Sequence, residues 1–403
     1  MSEAEILVGL TTIVVGGVAA QWLARVLRVP SVLLLLAAGF IAGSATGLVE
    51  PDELFGELLF PGVSLAVGLL LFDGGMELDL RRIANWRGVV VRLVTVGVLV
   101  TWVIGSLVVD AVTDLDGRTA WLAGAILVVS GPTVVLPILD RVKPSAPSGE
   151  ILEWEGIVID PIGALLGTLM LNVVVGGAGA TSTGATLAAT IFVGIGVGFA
   201  AAFLTVQVLR LPVTSRAIAA PVALAIAMGA FTIANVIAPE GGLFATTMMG
   251  VILANQRMID LRDIEMFEDG VGILALGSLF VVLGARVSPS ELSAVIIPGV
   301  IVLAALALIA RPLAVWLSTV GAGLDRSSRL FMVALAPRGI VAAATSAAFA
   351  IELEMEGYAE EAAILAPLTF VVIIAAGILY GLGAGPVAKR LGVSQAGKAE
   401  TDG

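Results

Sequence analysis

The sequence contains no cysteine and no histidine. Their absence excludes disulfides, thiol catalysis, imidazole proton shuttles and the usual zinc and haem sites. Charged residues are also scarce, at 13% of the 403 positions, and lysine occurs only at positions 143, 389 and 398. Any proton chemistry in this chain must therefore use carboxylates.

Apolar residues dominate what is present. They make up 59% of the chain, and the mean hydropathy is +1.08, which is more than a soluble domain needs. The 48 glycines allow close helix packing in a bilayer. The apolar runs are about twice as long as barrel strands and do not alternate, so they predict helices. The predicted fold class is an all-α polytopic membrane protein.

Segments of about 20 apolar residues predict thirteen spans. They cover residues 5–24, 30–49, 54–76, 88–112, 119–139, 151–176, 184–209, 213–236, 239–255, 270–286, 289–319, 329–351 and 360–386. The chain starts with the acidic stretch MSEAE, where a signal peptide would carry positive charge, so we expect the first run to be a mature span.

The loops are asymmetric in charge. On this span assignment, 16 basic residues fall on one side, 2 on the other and 3 within spans. The positive-inside rule then places the N-terminus outside and the C-terminus in the cytoplasm.

Two spans carry a Gly/Pro interruption at their middle: Ser130-Gly131-Pro132 in the fifth, and Pro337 with its neighbours Ala336, Arg338 and Gly339 in the twelfth. Seven spans separate them, so they cross the membrane in opposite directions. The pattern predicts inverted halves, about 1–180 and 211–390, joined by a linker helix at about 184–209, with broken helices framing a midplane site. Kinks of ordinary membrane helices are the alternative reading.

Asp160, in the sixth span, is the leading functional candidate. Asp160, Ser130 and Arg338 each lie about 14–16 Å from a membrane edge by helix rise. A carboxylate at that depth needs a proton, a cation or an ion pair. Competition between a proton and a small cation for Asp160 predicts coupled exchange, with the Ser130 hydroxyl and the carbonyls around Gly131 as further ligands. Gly156, one turn before Asp160, leaves room beside the carboxylate.

Four other charged residues in or near the spans have expected roles. Arg338 is a permanent cation at midplane, and we predict that it forms a structural ion pair with Glu155. Asp73, near the inner end of the third span, is either a cation-attracting acid of the transport site or an interfacial acid facing water. Arg311 is expected in a structural ion pair.

These segments together resemble the monovalent cation:proton antiporter superfamily, most closely its NhaP-like sodium/proton exchanger branch. The similarity covers spans two to thirteen. Its motifs are FDGGMELDL (72–80), SGPTVVLPIL (130–139), EGIVIDP (155–161), GLFATTMMGVILAN (242–255), SLFVVLGA (278–285), ARPLAV (310–315) and LAPRGIVAAA (335–344).

The resemblance implies that Asp160 carries the ion and the proton, with Ser130 and Asp73 at the same site. It implies a homodimer in which a core domain with two crossed broken helices moves as an elevator against a dimerisation domain, within a transmembrane domain spanning residues 1–390. It also implies a prokaryotic cytoplasmic membrane, with lipids and a second copy as partners and no nucleic acid. The transported ions are Na⁺, Li⁺ or K⁺ and H⁺; no cofactor and no enzymatic activity are expected.

Two departures from the family pattern affect the expected stoichiometry. Gly131 replaces a usual aspartate, and Ile159 replaces the Asn or Asp that usually precedes the carrier. One carboxylate suggests one proton per cation, hence electroneutral exchange. A K⁺/H⁺ antiporter and an organic-anion symporter of similar fold remain the alternatives. Residues 391–403 are expected to form a short cytoplasmic tail, and a longer regulatory region beyond them stays open.

Overall fold

The computed structural model describes residues 1–27, 29–144, 147–176, 180–211 and 215–394. Residues 395–403 of the expected tail lie outside the described residues. Within the described ranges the chain is helical apart from loops and one isolated β-bridge between Pro144 and Ser394. The helices are α1 Glu3–Leu27, α2 Ser31–Phe40, α3 Pro51–Phe55, α4 Leu59–Met76, α5 Arg87–Arg92, α6 Val98–Val112, α7 Gly117–Ile126, α8 Pro132–Val142, α9 Ser148–Gly176, α10 Ala180–Leu209, α11 Arg216–Ile237, α12 Gly241–Asn255, α13 Arg262–Ala285, α14 Pro289–Ala305, α15 Arg311–Thr319, α16 Arg326–Val333, α17 Ile340–Met355 and α18 Ala359–Leu391.

Nine helical stretches in the described ranges are long and apolar enough to cross a bilayer, and the two shorter apolar helical stretches are Ser31–Ala45 and Gly241–Asn255. The predicted fifth and twelfth spans are each divided into two short helices, α7 with α8 and α16 with α17. The all-α polytopic fold class is confirmed. The number of crossings and the inverted repeat stay predictions.

The tenth predicted span starts too late. We expected it at residue 270, whereas α13 begins at Arg262. The acidic residues in its first two turns interrupt the apolar run and hide the helix from hydropathy. Ile264 and Glu268, four residues apart and therefore on one face, are nevertheless both buried.

The helices pack most extensively in two groups. One contains α1, α2, α4, α11, α12 and α13, with α10 packed on α11 and α12. The other contains α6 to α9 and α14 to α18. The boundaries of the predicted domains and of the linker helix stay predictions.

Helix α4 lies where the two groups meet. Gly75 approaches α12 so closely that a Cβ atom added to it would lie 2.6 Å from the Thr247 carbonyl oxygen. On the other side, a Cβ atom added to Gly74 would lie 3.4 Å from Pro132 Cγ. Glycine at position 75 lets α4 pack closely on α12, while Gly74 faces the start of α8 on the other side. Asp73 therefore lies beside this junction.

Candidate functional site

The non-helical interruptions of the two broken helices lie against each other. Helix α7 ends at Ile126 and α8 begins at Pro132, while α16 ends at Val333 and α17 begins at Ile340. A Cβ atom added to Gly339 would lie only 3.0 Å from the Gly131 Cα atom. The two interruptions therefore cross at one point, as the resemblance implied.

Gly131 holds a backbone conformation that suits only glycine. Its φ of 41° and ψ of 137° lie outside the regions that residues with a side chain occupy. This conformation ends the non-helical stretch after α7 and lets Pro132 begin α8 at a position where proline is well tolerated. It also turns the Gly131 N–H towards α9.

Asp160 accepts a hydrogen bond from that N–H. The Gly131 N–H donates to Asp160 Oδ1 at 2.8 Å, so the carboxylate lies at the N-terminal, positive end of α8. Asp160 has no exposed surface, and its Oδ2 atom has no hydrogen-bond partner among the described residues. A buried carboxylate oxygen without a partner carries a desolvation cost that a proton or a cation would remove.

A small, partly polar cavity lies in the second group of helices, lined by Ile159 and other neighbours of Asp160 but not by Asp160 itself. Its volume of about 20 Å³ holds roughly one water molecule or one ion. It is lined by Ser130, Gly156, Ile159 and Pro337, together with Glu155, Arg311 and Arg338. The structure thus brings together most of the residues that the sequence indicated, and Pro132 follows directly at the start of α8.

Gly156 and Ile159 shape this cavity in different ways. A Cβ atom added to Gly156 would lie 3.1 Å from Val135 Cγ2, so glycine here also allows α8 to pack on α9. Ile159 is buried against Val98 and Val128 and offers no ligand atom. Asp160 is consequently the residue of this pair that can bind a proton or an ion.

The predicted Glu155–Arg338 pair is wrong. Glu155 instead forms a two-pronged ion pair with Arg311, in which the Nη2 atom lies 2.9 Å from Oε2 and Nη1 contacts Oε1. The Arg311 Nε–H also donates to the Met332 carbonyl oxygen at 2.9 Å. The depth of a residue in the membrane does not determine its ion-pair partner, because the side of the helix on which each side chain lies decides which charges meet. The expectation that Arg311 joins a structural ion pair is confirmed.

Arg338 has a different partner. Its Nη1–H donates to the Val128 carbonyl oxygen at 3.1 Å, just beyond the end of α7. Helix ends leave carbonyl groups without intrahelical donors, and a cation there is favourable. The Arg338 Nε–H has no hydrogen-bond partner within the described part of the chain. Arg338 therefore links the two interrupted helices and leaves Glu155 to Arg311.

Asp73 lines another cavity. A Cβ atom added to Gly272 of α13 would lie 3.2 Å from Asp73 Oδ2, and both residues line a cavity between α4, α11 and α13. The structure thus turns Asp73 towards α13, and it does not line the cavity beside Ser130. Its role as a ligand of the transported ion stays a prediction.

Glu268 lines the same cavity as Asp73 and was missed at the sequence level. It lies in the acidic stretch that hydropathy assigned to a loop. The signal that identifies it is the helical spacing of Ile264, Glu268 and Gly272, which places the three residues on one face of α13.

Comparison with known proteins adds independent findings. The family described as "Sodium/hydrogen exchanger, transmembrane" matches residues 10–390. The Na⁺/H⁺ antiporter 1 of Methanocaldococcus jannaschii is 27% identical over 356 residues, which are 85% of this chain and 82% of that protein. The K⁺/H⁺ antiporter NhaP2 of Shewanella sp. strain MR-4 is 26% identical over 299 residues, or 72% of this chain and 51% of that protein. This chain therefore spans about half the length of that relative.

The structural comparison agrees on the fold. The solved structure of the sodium proton antiporter MjNhaP1 from Methanocaldococcus jannaschii at pH 8 superposes with a TM-score of 0.83 at 24% sequence identity. The superposition covers 96% of this chain and 99% of that chain.

Proposed function

Because the chain belongs to the sodium/hydrogen exchanger family, we propose that it exchanges Na⁺ or Li⁺ for H⁺ across a membrane, with Asp160 carrying both. As a multi-pass membrane protein of the NhaP type it is a monovalent cation:proton antiporter. The observation that supports the role of Asp160 is its buried Oδ2 atom, which lacks a partner in the described structure. A proton or a cation satisfies this oxygen, and the two compete because each neutralises the same carboxylate.

The charges around the carrier support electroneutral exchange. Glu155 and Arg311 neutralise each other, and Arg338 contributes one positive charge. Asp160 holding one proton carries the same net charge as Asp160 holding one monovalent cation. Exchange of one for the other therefore moves no net charge, and Ile159 offers no second acid that would change the ratio.

Alternating access follows from the burial of Asp160. A carboxylate with no exposed surface can exchange its ligand only when the surrounding helices move. We propose an elevator movement in which the group that contains α6 to α9 and α14 to α18 slides past α4, at the face where Gly74 lies opposite Pro132. The protein would work as a homodimer in a prokaryotic cytoplasmic membrane, with its N-terminus outside and its C-terminus in the cytoplasm.

A K⁺/H⁺ antiporter is the second candidate. The Shewanella relative is named for potassium, and the same Asp160 chemistry applies to both ions. An organic-anion symporter is less well supported, because Arg311 already binds Glu155 with both terminal nitrogens and Arg338 donates to Val128. The Arg338 Nε–H has no partner within the described residues, but the cavity of about 20 Å³ that Arg338 lines holds one water-sized occupant and not an organic carboxylate.

Exchange in proteoliposomes tests the proposal. An inwardly acidic pH gradient is imposed and read with an internal pH dye, and NaCl, LiCl or KCl is added at equal ionic strength. Wild type should discharge the gradient with its transported cation, and Asp160→Asn should not, because the amide neither releases a proton nor binds a cation through charge. Clamping the membrane potential with K⁺ and valinomycin in the Na⁺ and Li⁺ assays should leave the initial rate unchanged.

Asp110→Asn is the matched control, since Asp110 is an exposed residue near the end of α6. It should exchange as wild type does. If Asp160→Asn still discharges the gradient, or if an organic acid is required for discharge, the proposal is wrong. A rate that changes with membrane potential would contradict electroneutrality alone.

A further inference from the structure

Glu268 is a buried carboxylate that the exchange reaction at Asp160 does not use. Glu268 is 3% exposed, and neither its Oε1 atom nor its Oε2 atom has a hydrogen-bond partner in the described ranges. Buried carboxylates are normally paired or bonded, because the lost hydration is expensive. A ligand that neutralises Glu268 would remove this cost.

Asp73 faces the same space from the neighbouring helix. Its Oδ2 atom lies beside Gly272, which is one helical turn after Glu268 and on the same face of α13. Both acids line one cavity; we call it the Asp73–Glu268 cavity. Its volume of about 10 Å³ is close to the minimum for one water-sized occupant.

The remaining lining is apolar and carries no positive charge. Besides the two acids and Gly272, the cavity is bounded by Leu69, Leu70, Phe72, Leu224, Val271 and Ala275. Glu265 and Asp269 on α13 add negative charge nearby. The cavity lined by Ser130 and Ile159 differs, because two arginines also line it. The field in the Asp73–Glu268 cavity therefore attracts cations and repels anions.

We propose that Asp73 and Glu268 bind one monovalent cation at a site separate from Asp160. Two carboxylates supply up to four oxygen ligands, and the apolar walls supply none. A divalent ion such as Mg²⁺, which gives up water reluctantly and needs about six oxygens, is poorly served here. A monovalent ion loses its hydration at lower cost and is attracted by both charges.

The position of this site indicates a staging role. Glu268 is six residues into α13, about 9 Å from the start of that helix, and Asp73 is three residues before the end of α4. The residue after Asp73, Gly74, faces Pro132, where α8 begins beside Asp160. A cation at the Asp73–Glu268 cavity thus lies between one end of these helices and Asp160. The staging role rests on the proposed function, whereas cation binding at this cavity does not depend on Asp160 being the carrier.

Cation binding to purified protein tests the proposal in a background that lacks the carrier carboxylate. Binding of ²²Na⁺ is measured by scintillation proximity in detergent, with unlabelled NaCl, LiCl or KCl as competitor and choline chloride to hold ionic strength. Asp160→Asn should retain saturable ²²Na⁺ binding or, if the site prefers K⁺, saturable binding of ⁸⁶Rb⁺. Adding Glu268→Gln or Asp73→Asn should weaken this binding about tenfold or more, because one ionised ligand is lost.

Glu57→Gln in the same Asp160→Asn background is the matched control, since Glu57 is exposed and precedes the opposite end of α4. It should leave binding unchanged. Thermal unfolding and size exclusion confirm that each variant is folded, and Asp73→Asn alone carries the test if Glu268→Gln aggregates.

Two results would overturn the second site. Loss of all saturable binding in Asp160→Asn would mean that cations bind only at Asp160. Unchanged binding after Glu268→Gln would mean that the cavity holds a proton or a water molecule and no cation. Neither result bears on whether Asp160→Asn abolishes exchange, so the two proposals fail separately.

Discussion

Removing Arg311 should destabilise the protein more than removing Arg338. In Arg311→Met the Glu155 carboxylate stays buried without its two-pronged partner, and the Met332 carbonyl loses a donor. Breaking a buried ion pair from one side costs about 3–5 kcal/mol. Arg338→Met leaves one carbonyl, that of Val128, without its donor, which costs about 1–3 kcal/mol.

The free energy of unfolding of each variant is measured by SDS titration in mixed micelles, together with the double variant Glu155→Leu/Arg311→Met. Replacing both partners of a buried pair by apolar side chains is neutral or stabilising by about 1–4 kcal/mol. The double variant should therefore be more stable than Arg311→Met alone. If Arg338→Met is the more damaging single change, or if the double variant is as unstable as Arg311→Met, the assignment of the Glu155–Arg311 pair is refuted.

A further prediction concerns Gly131. Gly131→Ala should abolish exchange and cost about 1–3 kcal/mol of stability, because its φ of 41° strains any side chain and the new Cβ atom would lie 3.1 Å from Asp160 Oδ2. Gly16→Ala in α1, where a Cβ atom meets open space, is the control and should be neutral. Exchange in proteoliposomes and SDS titration measure the two effects, and exchange by Gly131→Ala at the wild-type rate would contradict this prediction.

The fold was largely predictable because hydrophobic length and loop charge act locally along the chain. Helix α13 shows where this reasoning stops. Hydropathy averages over a window and cannot register a single buried acid such as Glu268 among exposed ones. The helical spacing of Glu268 and Gly272 shows that both lie on one face of α13. That face can be identified as the buried one only when the position of α4, which carries Asp73, is known.

The crossing of the broken helices was predictable from the sequence, whereas the charge pairings near it were not. Glu155, Arg311 and Arg338 all lie deep in apolar spans, so depth alone allows either arginine to bind Glu155. The choice depends on the rotation of α9 against α15 and on the unwound stretch that carries Arg338. These are three-dimensional quantities that a single sequence does not contain.

The contact between Arg338 and Val128 has a consequence for occupancy. The last carbonyl groups of a broken helix are a position where an alkali metal ion can bind, and here the Arg338 guanidinium occupies that position. This cation is covalently attached to the chain and cannot dissociate. Under the proposed exchange, the crossing of the helices therefore leaves Asp160 as the group at which a cation and a proton replace each other.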